Sequence, residues 1–204
     1  MTALPDEATL IERSREGDLA AFNQLVSSYQ DQVYNLCLRM LGSQQPAEDV
    51  TQEAFISAFR NVGRMRGPSV KSWLLRIASN ACIDELRRRQ RHPQVSIDYH
   101  RAGDVNETSF DVPDRTPGPE QLAVRQELRS ALQSELLELP VDQRLAVVLC
   151  DIEGLAYEEI AAAMGTSVGT VKSRISRGRA RLREALQKKP ELFGGVIRHT
   201  RGTN

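Results

Sequence analysis

Residues 157–177 read YEEIAAAMGTSVGTVKSRISR, and their punctuation decides the fold. The spacing predicts a short helix from about Tyr157 to Met164, then Gly165 where a tight turn needs a left-handed residue. Ser167 is placed to cap a second helix, running from about Val168 to Gln187. On that helix Val171, Ile175, Leu182 and Leu186 form one apolar stripe, because steps of four and seven nearly close the helical wheel. Gly169, Lys172, Ser173, Ser176, Arg177 and Arg183 occupy the opposite side. Upstream, Ala146 to Ile152 reads as another amphipathic helix, closed by Gly154. Two short helices, a glycine turn and a basic, small-polar helix face make a helix-turn-helix shaped for a major groove.

Charge supports that reading by its distribution. The 204-residue chain has a formal net charge of zero. From Thr166 to Arg183, however, Lys172, Arg174, Arg177, Arg179, Arg181 and Arg183 meet no acid. From Glu135 to Glu159 seven acids face one base, Arg144. A phosphate backbone responds to that local field rather than to the total.

Outward from this motif the chain divides. Aromatic residues make up 5% and charged residues 26%, a balance suited to amphipathic helices. Residues 10–91 carry helical periodicity throughout. A short helix ends at Gly17, and Asp18 caps the next, whose apolar positions are Phe22, Leu25, Tyr29, Val33, Leu36 and Met40. Gly42 stops it. Pro46 suits the first position of a third helix, with Val50, Ala54, Ala58 and Val62 inward and Phe55 and Phe59 on an adjoining face. After a break from Gly63 to Pro68, Trp73, Leu74, Ile77 and Ala78 open a stretch that ends in Arg87, Arg88, Arg89 and Arg91; Trp73 and Leu74 read as core. Residues 92–121 hold Pro93, Pro113, Pro117 and Pro119 among many acids, too little apolar surface to offset ordering, and read as a flexible linker. Helical pattern resumes at 122–187, and 188–204 read as a loose tail. The expected fold is all-α: two small helical domains joined by a flexible linker, the C-terminal one a helix-turn-helix.

Other function classes find little support. Cys37, Cys82 and Cys150 are far apart in apolar helical runs and read as reduced thiols of a cytoplasmic protein. His92, His100 and His199 are scattered, so no metal site and no cofactor are expected. Asp6, Glu7, Glu12 and Arg13 interrupt any leader-like run, and no membrane insertion is expected. Paired carboxylates at metal spacing and Gly-rich phosphate loops are absent from the sequence, so no catalytic residue is assigned.

Three stretches together resemble a known family. Leu139-Pro140, then Asp151 to Ala161 (DIEGLAYEEIA) and Val168 to Arg174 (VGTVKSR), look like the promoter-binding helix-turn-helix of bacterial sigma factors. Ala156 departs from the family's usual Ser before Tyr-Glu-Glu-Ile, a lost helix cap. Asp49 to Phe55 (DVTQEAF) resembles the family's docking segment for the clamp helices of the polymerase largest subunit. Asp49, Gln52, Glu53 and Ile56 fall on one helical face, and an acid-amide-acid face suits a basic coiled coil. Ser72 to Arg88 looks like the element that reads and opens the −10 promoter sequence, where a loop around Ser79-Asn80 receives a flipped base.

What the resemblance implies is an extracytoplasmic-function sigma factor, matched over residues 18–91 and 122–187 without the middle domain of larger sigma factors. Its partners would be core RNA polymerase (clamp helices and flap), promoter DNA and an anti-sigma factor able to hold it at the inner membrane face. The −10 DNA would meet Ser79, Asn80, Asp84, Arg87 and Arg88; the −35 DNA would meet Ser167, Thr170, Lys172, Ser173, Arg174, Ser176, Arg177 and Arg179. An amide such as Asn80 both donates to and accepts from a base edge, although Asn80 could instead cap a helix. The linker acids Asp98, Asp104, Glu107, Asp111 and Asp114 would lie along polymerase channels toward the RNA exit. A stand-alone helix-turn-helix regulator is the alternative, but it leaves the first half of the chain without a role.

Overall fold

A computed structural model describes residues 6–65, 69–91 and 119–189, with side chains in the last segment from 124 onward. Eight α-helices follow in order among them: α1 (Glu7–Arg15), α2 (Leu19–Leu41), α3 (Gln44–Asn61), α4 (Val70–Arg91), α5 (Pro119–Leu137), α6 (Val141–Val147), α7 (Tyr157–Met164) and α8 (Val168–Gln187). The predicted linker lies almost wholly outside the described residues, as do the linker acids, and so does most of the tail.

Local chemistry sets the boundaries. The Asp18 carboxylate accepts the Ala21 N–H at 3.0 Å and caps α2. That bond and the Arg13 guanidinium at 2.7 Å hold its carboxyl below the usual range. Gly42 takes a left-handed φ of 73° and ends the helix. Helix α3 begins at Gln44, so Pro46 is its third residue rather than its first. The first turn tolerates that shift, since its N–H groups have no intrahelical partner to lose.

Helices α2, α3 and α4 pack around Leu36, Cys37, Met40, Ala58, Leu75, Ala78 and Cys82, all fully buried. A leucine removed from water in this way contributes about 1.5–3 kcal/mol. Helix α1 lies over α2, tied by Leu10 and by the Tyr29 hydroxyl, which donates to Glu7 at 2.7 Å. In the second lobe α6 starts after Pro140, earlier than the apolar pattern suggests, and runs into a π-helical turn at Val148–Ile152.

The lobes do not stand apart. Buried residues of both belong to one continuous core cluster, and α2 and α4 contact α5, α6 and α7. Gln133 of α5 accepts from Arg39 at 3.1 Å and donates to the carbonyls of Leu38 and Arg39, each at 3.3 Å. Arg144 donates to the Met40 carbonyl. Lys71 of α4 donates to the Glu153 carbonyl at 2.6 Å.

Candidate nucleic-acid interface

The C-terminal motif folds as its punctuation dictates. Gly165 adopts φ 59°, and its N–H closes α7 on the Ala161 carbonyl. Ser167 Oγ accepts the Thr170 N–H at 3.2 Å and caps α8. Ala156 supplies no cap, but Glu159 reaches back to accept its N–H at 3.0 Å, keeping half of a capping box. Val171 and Ile175 are buried against the lobe. Gly178 allows α6 and α8 to approach closely, for a Cβ there would stand 2.7 Å from Val147 Cγ2 and 3.3 Å from the Gln143 carbonyl.

That packing sorts the basic residues. Lys172, Ser173, Ser176 and Arg177 are exposed, and among the described residues neither Lys172 nor Arg177 forms an ion pair. Lys172 Nζ lies 5.9 Å from the centre of the Tyr157 ring, a cation–π placement that steadies it over α7. Thr170 is half-buried, and its carbonyl accepts the Ser173 hydroxyl at 2.8 Å. Arg174 and Arg179, which the resemblance places at the −35 DNA, are each engaged by an acid of their own lobe. Arg174 donates to Asp142 at 2.5 Å, and Arg179 grips Asp151 through two nitrogens, one at 3.0 Å. Asp151 raises the Arg179 guanidinium above its ordinary range. Both arginines brace α8 against its own lobe, so neither is free to meet phosphate in this arrangement.

On the other lobe, α4 runs unbroken through Ser79 and Asn80, so the loop implied by resemblance is absent. Ser79 is fully buried and donates to the Leu75 carbonyl at 2.6 Å, which satisfies its hydroxyl inside the helix and removes it from any DNA face. Asn80, next to it, is exposed. With Arg64, Trp73, Arg76 and Ile77 it lines an open cavity of about 230 Å³. Trp73, expected in the core, is only half-buried and forms part of that wall. An indole with two guanidiniums and an amide can stack on and hydrogen-bond a planar base. Sequence reading singled out neither Arg64 nor Arg76, because only the fold brings them beside Asn80. Further along, Arg87 meets Asp84 at 3.4 Å, while Arg88 and Arg89 each meet Glu85 at 2.7 Å. The Arg88 hydrogen bond leads in holding the Glu85 carboxyl below its ordinary range.

Asp49, Gln52, Glu53 and Ile56 all lie exposed on α3, opposite the buried Val50, Ala54 and Ala58. Gln45 donates to Asp49 at 3.2 Å. Ile56 is 45% exposed; among the described residues only Leu19 and Val124 are comparable large apolar side chains.

Comparisons with known proteins agree with this arrangement. The family model for sigma-70 region 2 matches residues 25–92, and that for sigma-70 region 4 matches residues 129–182. The chain is 45% identical over 177 residues to the ECF RNA polymerase sigma factor SigE of Mycolicibacterium smegmatis, covering 84% of this chain and 65% of that protein. It is 40% identical over 182 residues to the ECF RNA polymerase sigma-E factor of Escherichia coli, covering 89% of this chain and 94% of the relative. Among solved structures, the sigma factor RpoE of Bartonella quintana, in complex with the anti-sigma factor NepR, superposes with a TM-score of 0.65 at 26% identity, over 81% of this chain and 96% of that one. By its sequence, its two matched regions and its fold, the chain belongs to the extracytoplasmic-function sigma factors of RNA polymerase.

Proposed function

We propose that this chain binds core RNA polymerase and directs it to promoters, contributing recognition rather than catalysis. The acidic face of α3, with Ile56 at its edge, docks on a basic coiled coil of the polymerase clamp. The cavity beside Asn80 holds a base flipped from the −10 element, with Asp84, Arg87 and Arg88 bordering the junction of duplex and melted strand. Helix α8 enters the major groove at the −35 element. There Lys172, Ser173, Ser176 and Arg177 reach base edges or phosphates, and the Ser167–Thr170 end approaches the backbone, as helix N-termini do.

The observation that carries this reading is the pairing, in one chain, of an exposed basic helix-turn-helix face with a base-sized cavity on a separate lobe. The relative from Bartonella quintana is bound to an anti-sigma factor, which supports a similar inhibitory partner here. Among the described residues no helix is long and apolar enough to cross a membrane, so membrane association would come through that partner. The site of action is the cytoplasm, where polymerase is. Mapping transcript starts with core polymerase in the presence and absence of the chain tests the proposal. New starts that share upstream elements are expected; sequence-specific binding without any dependence on core would instead favour a stand-alone regulator.

A further inference from the structure

Helix α1 is fixed to α2 at both ends. Near its start the Tyr29 hydroxyl donates to Glu7, and at its end Arg13 pairs with Asp18 at 2.7 Å. Between them Leu10 is buried, and the buried Ser14 hydroxyl donates to the Leu10 carbonyl at 2.6 Å. From this fixed helix Arg15 reaches a part of the chain 50 residues away, where its Nη2 donates to the Met65 carbonyl at 3.1 Å. Its Nη1 donates to Glu12 at 2.5 Å. That pair is exposed and contributes little stability by itself; its consequence is to orient the guanidinium toward Met65.

Met65 closes a short 3-10 turn, Val62–Arg64, that follows α3 and packs against α1. Val62 and Met65 are buried, and the Met65 N–H returns to the Val62 carbonyl at 3.1 Å. Arg64, between them, is exposed and lines the cavity beside Asn80. Burial holds the turn in place, but it is non-directional and does not set the tilt of a peptide plane. A charge-assisted hydrogen bond is directional and stronger than a neutral one, and the bond from Arg15 supplies that direction at Met65. The sigma-70 region 2 match begins at residue 25, so Arg15 stands outside the segment by which that region is matched.

Resting on the reading of that cavity as the −10 base site, we propose that Arg15 is a positioning residue for it. Through the Met65 carbonyl it holds the turn that presents Arg64, so α1 takes part in reading the −10 element without touching DNA. A guanidinium held in place before the base arrives loses less freedom on binding than one that the base itself must order. Without the anchor, Arg64 keeps its charge but samples more directions, and the cavity holds the base less selectively.

The test uses the full chain with core polymerase on pre-melted templates whose non-template strand is randomised at −10, and sequences the templates that are transcribed. A second library, randomised at −35, serves as the control. Arg15→Met keeps most of the side chain's length without its donors, and Arg15→Lys restores a charged donor. Arg15→Met should relax the −10 preference several-fold and Arg64→Ala by a similar factor. The double variant should relax it no further, because both changes act on the same guanidinium. Arg15→Lys should recover part of the preference, and preference at −35 should be unchanged in every variant. Effects that multiply in the double variant, a −10 preference untouched by Arg15→Met, or an equal loss at −35 would each overturn the positioning role. If Arg64→Ala and Asn80→Ala both leave the −10 preference intact, the cavity reading beneath it fails, and Arg15 loses its role with it.

Discussion

Helices α4 and α8 both carry runs of arginine, yet they spend that charge differently. On α4, Arg87, Arg88 and Arg89 pair with Asp84 and Glu85, three or four residues away on the same helix. Two acids there offset part of the charge of four arginines, Arg87, Arg88, Arg89 and Arg91. On α8, Arg174 and Arg179 pair with Asp142 and Asp151, 32 and 28 residues away on the preceding part of the lobe. Those bonds aim the helix and leave Lys172 and Arg177 outward without acid partners among the described residues. The comparison teaches that a basic run is not by itself a phosphate-binding surface. Helix α8 is built for long-range attraction to a duplex. In the proposed function helix α4 depends instead on the cavity beside Asn80, a short-range device suited to a base already out of the stack.

The largest effect should come from a surface that neither helix provides. Reversing Asp49 and Glu53 to Lys on α3 should reduce association with core polymerase at least 100-fold while helical circular dichroism is unchanged. Normal co-purification of the double variant with core would break the assignment of docking to the first lobe. Next, Arg177→Ala should remove about 1–3 kcal/mol of discrimination at the −35 element and lower the salt slope by about one. Arg88→Ala should change the slope less, since Glu85 already screens that guanidinium. Equal slopes for the two variants would erase the contrast between the helices.

Smaller effects sharpen it. Ala156→Ser should supply the missing cap on α7 and stabilise the second lobe by about 1 kcal/mol, seen as a raised Tm with unchanged promoter preference. The smallest effect is pH dependence at the lobe contact. Burial raises the Glu153 pKa in the folded chain, opposed by Lys71 and Arg39, so the folded state binds that proton more tightly than the unfolded one. The contribution of this carboxyl to stability should therefore be present at low pH and weaken as pH rises past its raised pKa. Glu153→Gln should flatten the dependence, measured as Tm between pH 5 and 8.

What was legible in the chain was local. Asp18, Gly165 and Ser167 act within three or four residues of themselves, and each sits where its side chain or φ requires. The apolar rhythm of α2 and α3 likewise follows from residues on one helix meeting a neighbour. What failed was non-local or carried over from likeness. The loop at Ser79 does not form, because the Leu75 carbonyl accepts its hydroxyl and the helix continues. Likeness to the family places Arg174 and Arg179 at the −35 DNA but says nothing of Asp142 and Asp151, which hold them against the lobe. Gln133, Arg144 and Glu153 are polar, and only tertiary contact buries them, which no local pattern announces. Trp73 reads as core because it is large and apolar, although its position exposes part of it to a cavity.

The central claim is that the two lobes read different promoter elements, one through a cavity and one through a helix. Its most direct test is transcription by core polymerase on a library randomised at both elements, comparing wild type with Asn80→Ala and Arg177→Ala. The account predicts that Asn80→Ala relaxes preference at −10 alone, with part of the lost activity recovered on pre-melted templates. It predicts that Arg177→Ala relaxes preference at −35 alone. Loss at the same element for both variants, or a uniform loss across all promoters for either, would contradict it.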